Sequence, residues 1–184
     1  MRIIAGTAKG TRLRAPKGMS ARPTSDRVRE AVFDILGGDV GGKEVLDLFA
    51  GSGAMGIEAL SRGARRALFV EKDSKCCGVI RENLRACRLI ERAKVYQMDA
   101  FRFLAMRKGE GPFDLIFVDP PYARGMAKKI LLALGRGNWL HQGGKIVLEH
   151  SKREALPSEP AGLLLVDLRR YGDTRISIYV SRPQ

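Results

Sequence analysis

From residue 44 onward the chain alternates two rhythms, short apolar runs and longer stretches with apolar residues at helical spacing. Glu44–Phe49, Ala67–Glu71, Lys94–Met98, Phe113–Val118 and Lys145–Glu149 read as strands, with helices expected over Ala54–Ser61, Ser74–Cys87, Ala100–Met106 and Met126–Leu134. Phe113–Val118 is almost continuously apolar, as a strand covered on both faces must be. Leu163–Arg169 and Arg175–Val180 also have strand character, but only the Gly172-Asp173 turn suits the space between them, which predicts an antiparallel hairpin at one sheet edge. Repeated strand–helix units imply an α/β fold: a doubly wound, mostly parallel sheet of seven strands that binds ligands at the carboxyl ends of its strands.

The first forty residues differ in style. Arg2–Ala5 and Arg12–Ala15 flank Thr7-Ala8-Lys9-Gly10 and predict a small basic β-hairpin. A helix follows Arg22-Pro23, with Thr24 or Ser25 as its N-cap, one apolar stripe made by Val28, Ala31, Val32, Ile35 and Leu36, and Gly37-Gly38 as its end. No repeat or long linker separates the parts. Residues 1–40 are expected to be an extension, and residues 41–184 a single domain carrying the chemistry.

Composition narrows the class. With 184 residues, 45% of them apolar, the chain can fill one core without staples. Ile3-Ile4-Ala5 is too short for a signal-peptide core, and no window is apolar enough to span a membrane, so a soluble cytoplasmic protein is expected, and a monomer is the expected state. Cys76, Cys77 and Cys87 lack zinc-ligand spacing and fall on one predicted helix, which argues for buried thiols and against a metal. The 33 Lys and Arg against 20 acids give a formal charge of +13, which favours a polyanionic partner. His141, read as a loop residue, and His150, read as a strand-end residue, have no partner pattern and are expected to be structural. Trp139 and Leu131-Leu132 look like core, and Tyr171 suits either packing or an approach to the site.

Candidate chemistry lies in the loops after the strands. The first is Asp47-Leu48-Phe49-Ala50-Gly51-Ser52-Gly53-Ala54-Met55-Gly56, where glycines permit a sharp turn and close ligand approach. Glu71 follows 20 residues after Gly51, at the end of the next strand, a spacing that a nicotinamide dinucleotide site shares. Asp47 and Asp99 shift the balance. An acid before the glycines suits a ligand ammonium, Glu71 suits ribose hydroxyls, and Asp99-Ala100 after the third strand suits an adenine amine. Each acid also has the simpler reading of a helix cap.

The fourth strand runs into Asp119-Pro120-Pro121-Tyr122. Paired prolines stiffen the chain there. The Asp119 side chain and the Pro120 carbonyl are then two fixed acceptors matching the two donors of an exocyclic NH2, and Tyr122 offers a stacking face. Accepting both hydrogens frees the nitrogen lone pair for attack, which points to amino methylation.

Together these loops resemble those of the Rossmann-like S-adenosylmethionine methyltransferases. That resemblance implies cofactor contacts from Asp47, Ala50, Gly51, Ser52, Gly53, Glu71, Asp99 and Ala100, with Asp119, Pro120, Pro121 and Tyr122 as the catalytic loop. Arg2-Ile3-Ile4-Ala5-Gly6, Lys9-Gly10, Leu13, Pro16, Arg22-Pro23-Thr24, Asp26-Arg27-Val28-Arg29-Glu30, Phe33, Glu149-His150 and Tyr171-Gly172-Asp173-Thr174 resemble one family along the whole chain, the RsmD-type bacterial methyltransferases. The resemblance implies methylation of guanine N2 in 16S ribosomal RNA, at the guanine 966 site, free or within a partly or fully assembled small subunit. It also implies that the Arg22–Glu30 segment closes over the cofactor. Arg2, Lys9, Arg12, Arg14, Lys17 and Arg22 are the expected RNA contacts. A DNA adenine N6-methyltransferase shares both loops but needs room for target recognition. A dehydrogenase leaves Asp119–Tyr122 without a role, and a non-enzymatic RNA-binding protein leaves the ordered acids without one.

Overall fold

The computed structural model describes residues 1–16, 26–38, 40–106, 109–122 and 125–182. Its elements run α1 (Asp26–Leu36), β1 (Glu44–Leu48), α2 (Ala54–Ser61), β2 (Arg66–Glu71), α3 (Ser74–Ala86), a 3-10 turn (Ile90–Arg92), β3 (Ala93–Gln97) and α4 (Ala100–Met106). They continue through β4 (Phe113–Val118), α5 (Met126–Arg136), β5 (Leu140–Ser151), β6 (Leu163–Tyr171) and β7 (Thr174–Ser181). The seven strands are ordered β3-β2-β1-β4-β5-β7-β6. The first five are mutually parallel, and β7 runs antiparallel to both β5 and β6. This is the α/β sheet that the strand–helix alternation predicts, with the terminal hairpin at its edge.

Alternation along β4 explains why that strand is apolar throughout. Leu115 and Phe117 point into one core with Val45, Phe69 and Ile178, while Ile116 and Val118 point into the other with Leu46, Leu48 and Ile130. Strand order reverses between β1 and β4: the chain leaves β1 towards β2 on one side and reaches β4 on the other. That reversal opens a crevice at the carboxyl ends of the two strands.

Two elements differ from the sequence reading. The basic hairpin keeps its turn but has one antiparallel bridge, Arg2↔Arg12, in place of two strands. Ile3 N and Leu13 N still donate across it, but other donors are used elsewhere: Ile4 N and Ala5 N donate to the Glu58 carboxylate at 2.8 and 3.0 Å, and Ala8 N donates to Ser61 Oγ at 2.9 Å. Strand β5 is longer than Lys145–Glu149 suggests. It starts at Leu140, so His141 is an exposed strand residue, and Gly143 sits within it at φ 76°. The proposed caps Thr24 and Ser25 lie outside the described residues.

The amino-terminal segment shares the domain's core. Ile3, Leu13 and Phe33 are buried in the same cluster as the inner strands, and the Phe33 ring packs on Phe117 with centroids 5.6 Å apart. Polar contacts fix its position. Arg29 of α1 is fully buried and donates to the Arg2 carbonyl, and its Nε lies 3.7 Å from the equally buried Glu58 carboxylate. Arg62 Nε donates to the same carboxylate at 2.8 Å. Removing one partner from such a buried group strands the others. Glu58→Ala should therefore cost about 3–5 kcal/mol in urea unfolding, and Glu58→Gln, which keeps an acceptor, should cost less. A loss below about 1 kcal/mol for the alanine variant would mean that apolar contacts alone hold the segment.

Candidate functional site

One cleft of about 820 Å³ lies over the carboxyl ends of β1, β2, β3 and β4. Asp47, Ala50, Gly51, Ser52, Glu71, Asp99, Ala100 and all of Asp119–Tyr122 line it. Gly53 does not reach the cleft. It is buried at the start of α2 with φ 78°, and a Cβ there would press on Ile80 at 3.2 Å, so its work is to turn the loop.

The loop after β1 is bent under constraint. Phe49 holds φ 59°, uncommon for a bulky residue, and lines the cleft. Asp47 is buried, and its Oδ2 accepts from Gly56 N at 2.9 Å. A side chain at position 56 would collide with the Phe69 ring, so glycine there lets the helix amide approach the acid. Burial pushes the Asp47 carboxyl up to about 8; the Gly56 bond opposes the rise, and the charge of Glu71 adds to it.

Glu71 spans the loop. Its Oε2 accepts from Gly51 N and its Oε1 from Asp73 N, each at 2.9 Å, which holds the carboxylate at the cleft wall. Asp99 does what the simpler reading allowed: its Oδ1 accepts from Phe101 N at 2.9 Å and Arg102 N at 3.1 Å, capping α4 while lining the cleft. Asp73, not among the expected site acids, caps α3 by accepting from Cys76 N. Asn83, buried on α3, donates to the Ser52 carbonyl at 2.9 Å and to the Arg14 carbonyl at 3.0 Å, and accepts from Arg14 N at 2.8 Å. Met1, Ala15 and Pro16 thereby form one wall of the cleft.

At the far end Asp119 N donates to the Leu48 carbonyl at 3.5 Å, Pro120 is buried, and Tyr122 is 50% exposed. The Tyr122 hydroxyl donates to Glu149 Oε1 at 3.1 Å and lies 2.9 Å from Thr174 Oγ1, so the ring is tethered by its tip while its body faces the cleft. Burial, opposed by the Thr174 bond and helped by the charges of Glu149 and Asp119, raises the Tyr122 pKa and keeps the hydroxyl protonated.

Sequence reasoning missed Phe49, Lys72, Met98, Phe101, Met126 and the site role of Glu149, all of which line the cleft. Met98 and Phe101 flank the Asp99-Ala100 pair, and that adjacency was the available signal. Lys17 and Arg22 lie outside the described residues. Arg2, Lys9, Arg12 and Arg14 are exposed, and Arg14 pairs with Glu82 at 2.8 Å. Of the segment expected to close over the cofactor, Asp26–Glu30 opens α1, with Arg29 turned inward.

His150 is structural, buried with Nε2 at 2.9 Å from Ser177 Oγ, and burial lowers its pKa. Tyr171 packs against the core on the α1 side of the sheet. Cys76 and Cys77 are buried on α3, where burial pushes the Cys76 thiol up to about 12. Among the described residues no cluster of His, Cys, Asp or Glu is arranged to hold a metal, and no helix is long and apolar enough to cross a membrane.

Known proteins share this fold. A Bacillus subtilis protein described as "Putative rRNA methyltransferase YlbH" is 42% identical over 183 residues, spanning 99% of this chain and 100% of its own. "Ribosomal RNA small subunit methyltransferase D" of Escherichia coli is 36% identical, over 100% of this chain and 91% of its own. The solved structure "Putative methyltransferase yhhF", also from Escherichia coli, superposes with a TM-score of 0.88 at 35% identity, over 100% of this chain and 99% of the other. The family described as Conserved hypothetical protein 95 matches residues 1–180. By extent of match and by fold, the chain belongs to that family, the RsmD-type methyltransferases.

Proposed function

We propose that this protein transfers a methyl group from S-adenosylmethionine to the N2 amine of a guanine in 16S ribosomal RNA, at the guanine 966 site, and does so in the cytoplasm. The observation that carries the reading is the single cleft joining Asp47, Glu71 and Asp99 to Asp119–Tyr122. The kinship with small-subunit RNA methyltransferases supports ribosomal RNA over DNA.

The residues fit the cofactor's chemistry. Asp47 suits its ammonium, Glu71 its ribose hydroxyls, and Asp99 with Ala100 its adenine, against the apolar Met98 and Phe101. When bound, S-adenosylmethionine supplies an electrophilic methyl on a sulfonium. Asp119 and the Pro120 carbonyl accept the two hydrogens of the target amine and turn its lone pair towards that methyl. Transfer to that lone pair would form the N–C bond as the S–C bond breaks, with its electron pair left on sulfur. Asp119, already bonded to the amine, takes the proton that the nitrogen sheds. Tyr122, tethered at its hydroxyl, presents its ring to the base, which must leave its stack to enter. Residues 1–40 act as the RNA-contacting extension, with Arg2, Lys9, Arg12 and Arg14, and Lys17 and Arg22 beyond the described residues, holding phosphates.

Transfer of labelled methyl to small-subunit RNA, followed by nucleoside mapping, tests the reading; label confined to adenine, or absent, would overturn it. Asp119→Ala should lower turnover at least about a thousandfold while leaving S-adenosylmethionine affinity measurable by calorimetry. A variant that keeps most of its activity removes the loop from the chemistry.

Asp47 yields a pH signature. The unfolded carboxyl ionises near its ordinary 3.8, whereas the folded one keeps its proton up to about 8. Its contribution to stability is therefore whole below pH 4 and drains away as pH rises towards 8. Asp47→Asn removes that slope. Its advantage over the wild type in urea unfolding should widen across this window and level off above it, while S-adenosylmethionine affinity falls about tenfold or more, because the incoming ammonium draws the proton off Asp47 and gains a carboxylate partner that Asn cannot supply. Parallel pH profiles for the two proteins would refute the assignment.

Charge reversal of Arg12 and Arg14 together should reduce the slope of log affinity for RNA against log salt by about 1.5. An unchanged slope would place the RNA elsewhere.

A further inference from the structure

Strand register brings a second carboxylate beside the catalytic loop. Val118 of β4 pairs with Leu148 of β5, so the next positions, Asp119 and Glu149, stand side by side at the strand ends. Phe117 and Val147 face the same core, and by the two-residue period of a strand Asp119 and Glu149 project from that face as well. Both line the cleft, and the charges of both bear on Tyr122.

The Glu149 carboxylate is aimed. The Tyr122 hydroxyl donates to its Oε1 at 3.1 Å, and Thr174 Oγ1, in hydrogen-bond reach of that hydroxyl at 2.9 Å, extends the chain of contacts to the terminal hairpin. Glu149 plays no part in the methyl transfer derived above. A carboxylate has lone-pair sites for several donors and can accept from a ligand alongside protein groups.

We propose that Glu149 is the specificity-determining residue that selects guanine, by accepting the N1–H next to the N2 amine held at Asp119. This rests on the reading of the target as guanine N2. On the edge that enters the cleft, guanine carries two adjacent donors, N1–H and N2–H, which match two neighbouring acceptors on adjoining strands. Adenine presents its amine beside an unprotonated N1, whose lone pair would face the Glu149 carboxylate and be repelled. Buried polar groups left unpaired or opposed are what give hydrogen-bonding sites their discrimination. The same carboxylate would thus fix the base's identity and, through Tyr122, set the angle of the ring on which the base stacks.

The test uses 16S RNA, assembled with small-subunit proteins, that carries either guanine or 2-aminopurine at the mapped position. 2-Aminopurine keeps the 2-amine but has a bare N1. It also lacks O6, a loss that weighs equally on every variant, so a change in the guanine-to-2-aminopurine ratio between variants reports on N1. Wild-type protein should prefer guanine by about a hundredfold or more in kcat/KM. Glu149→Gln keeps an acceptor for Tyr122 and adds an NH2 that can donate to the bare N1. It should narrow the ratio at least about tenfold, with S-adenosylhomocysteine affinity and unfolding midpoint unchanged. A ratio that stays within about twofold in a folded, cofactor-binding Glu149→Gln protein overturns the proposal alone. Failure of the wild type to methylate guanine N2 at all overturns the functional reading with it, and the wild-type arm separates the two cases.

Discussion

A carboxylate with no contact to solvent governs how this molecule is put together. Glu58, on the helix that follows the glycine loop, accepts from the backbone of Ile4 and Ala5 and from Arg62, and offsets the buried charge of Arg29. An ion in the interior is tolerated only when its surroundings supply donors, and here they come from three separate stretches of chain. The amino-terminal turn, α1 and α2 must therefore meet at one point. The cleft inherits this, since Met1, Ala15 and Pro16 stand in its wall and the segment between them is fastened to α2 through Glu58 as well as to α3 through Asn83.

The sheet divides labour along its edge of strand ends. β1, β2 and β3 deliver Asp47, Glu71 and Asp99, while β4 and β5 deliver Asp119 and Glu149. Asp47, the most enclosed of them, holds its proton to about pH 8 because burial penalises its charge, with the charge of Glu71 adding to the rise. The antiparallel hairpin, remote in sequence from all of these, reaches back through Thr174 to steady Tyr122. The last strands thus belong to the site as much as to the edge.

Much of this is legible in the sequence because it is written in short-range patterns. The apolar run Phe113–Val118 announces an inner strand, and Asp119-Pro120-Pro121-Tyr122 announces a stiff acceptor loop wherever it is met. Glycines before α2 and acids at strand ends are equally local. What escapes the sequence is set by partners far along the chain. Ile4 and Ala5 look like strand residues, yet their amides go to a glutamate more than fifty residues away. His141 looks like a loop residue and lies inside β5, whose preceding Leu140 pairs with Phe113 of β4. Arg29 is one of several charges of both signs along α1, and only the fold reveals that it is buried. Glu149 is one acid among many until register sets it beside Asp119.

Asn83 has a consequence of another kind. One amide group holds both the carbonyl of Ser52, in the loop beneath the cleft, and the backbone of Arg14, in the arm at its rim. Floor and rim are therefore not independent parts that happen to be adjacent; they share a rivet that carries no charge and is sealed from water. Salt, which loosens whatever ions hold the arm to its surroundings, leaves that joint alone, so arm and floor stay in registry over conditions that strip the surface of its electrostatics.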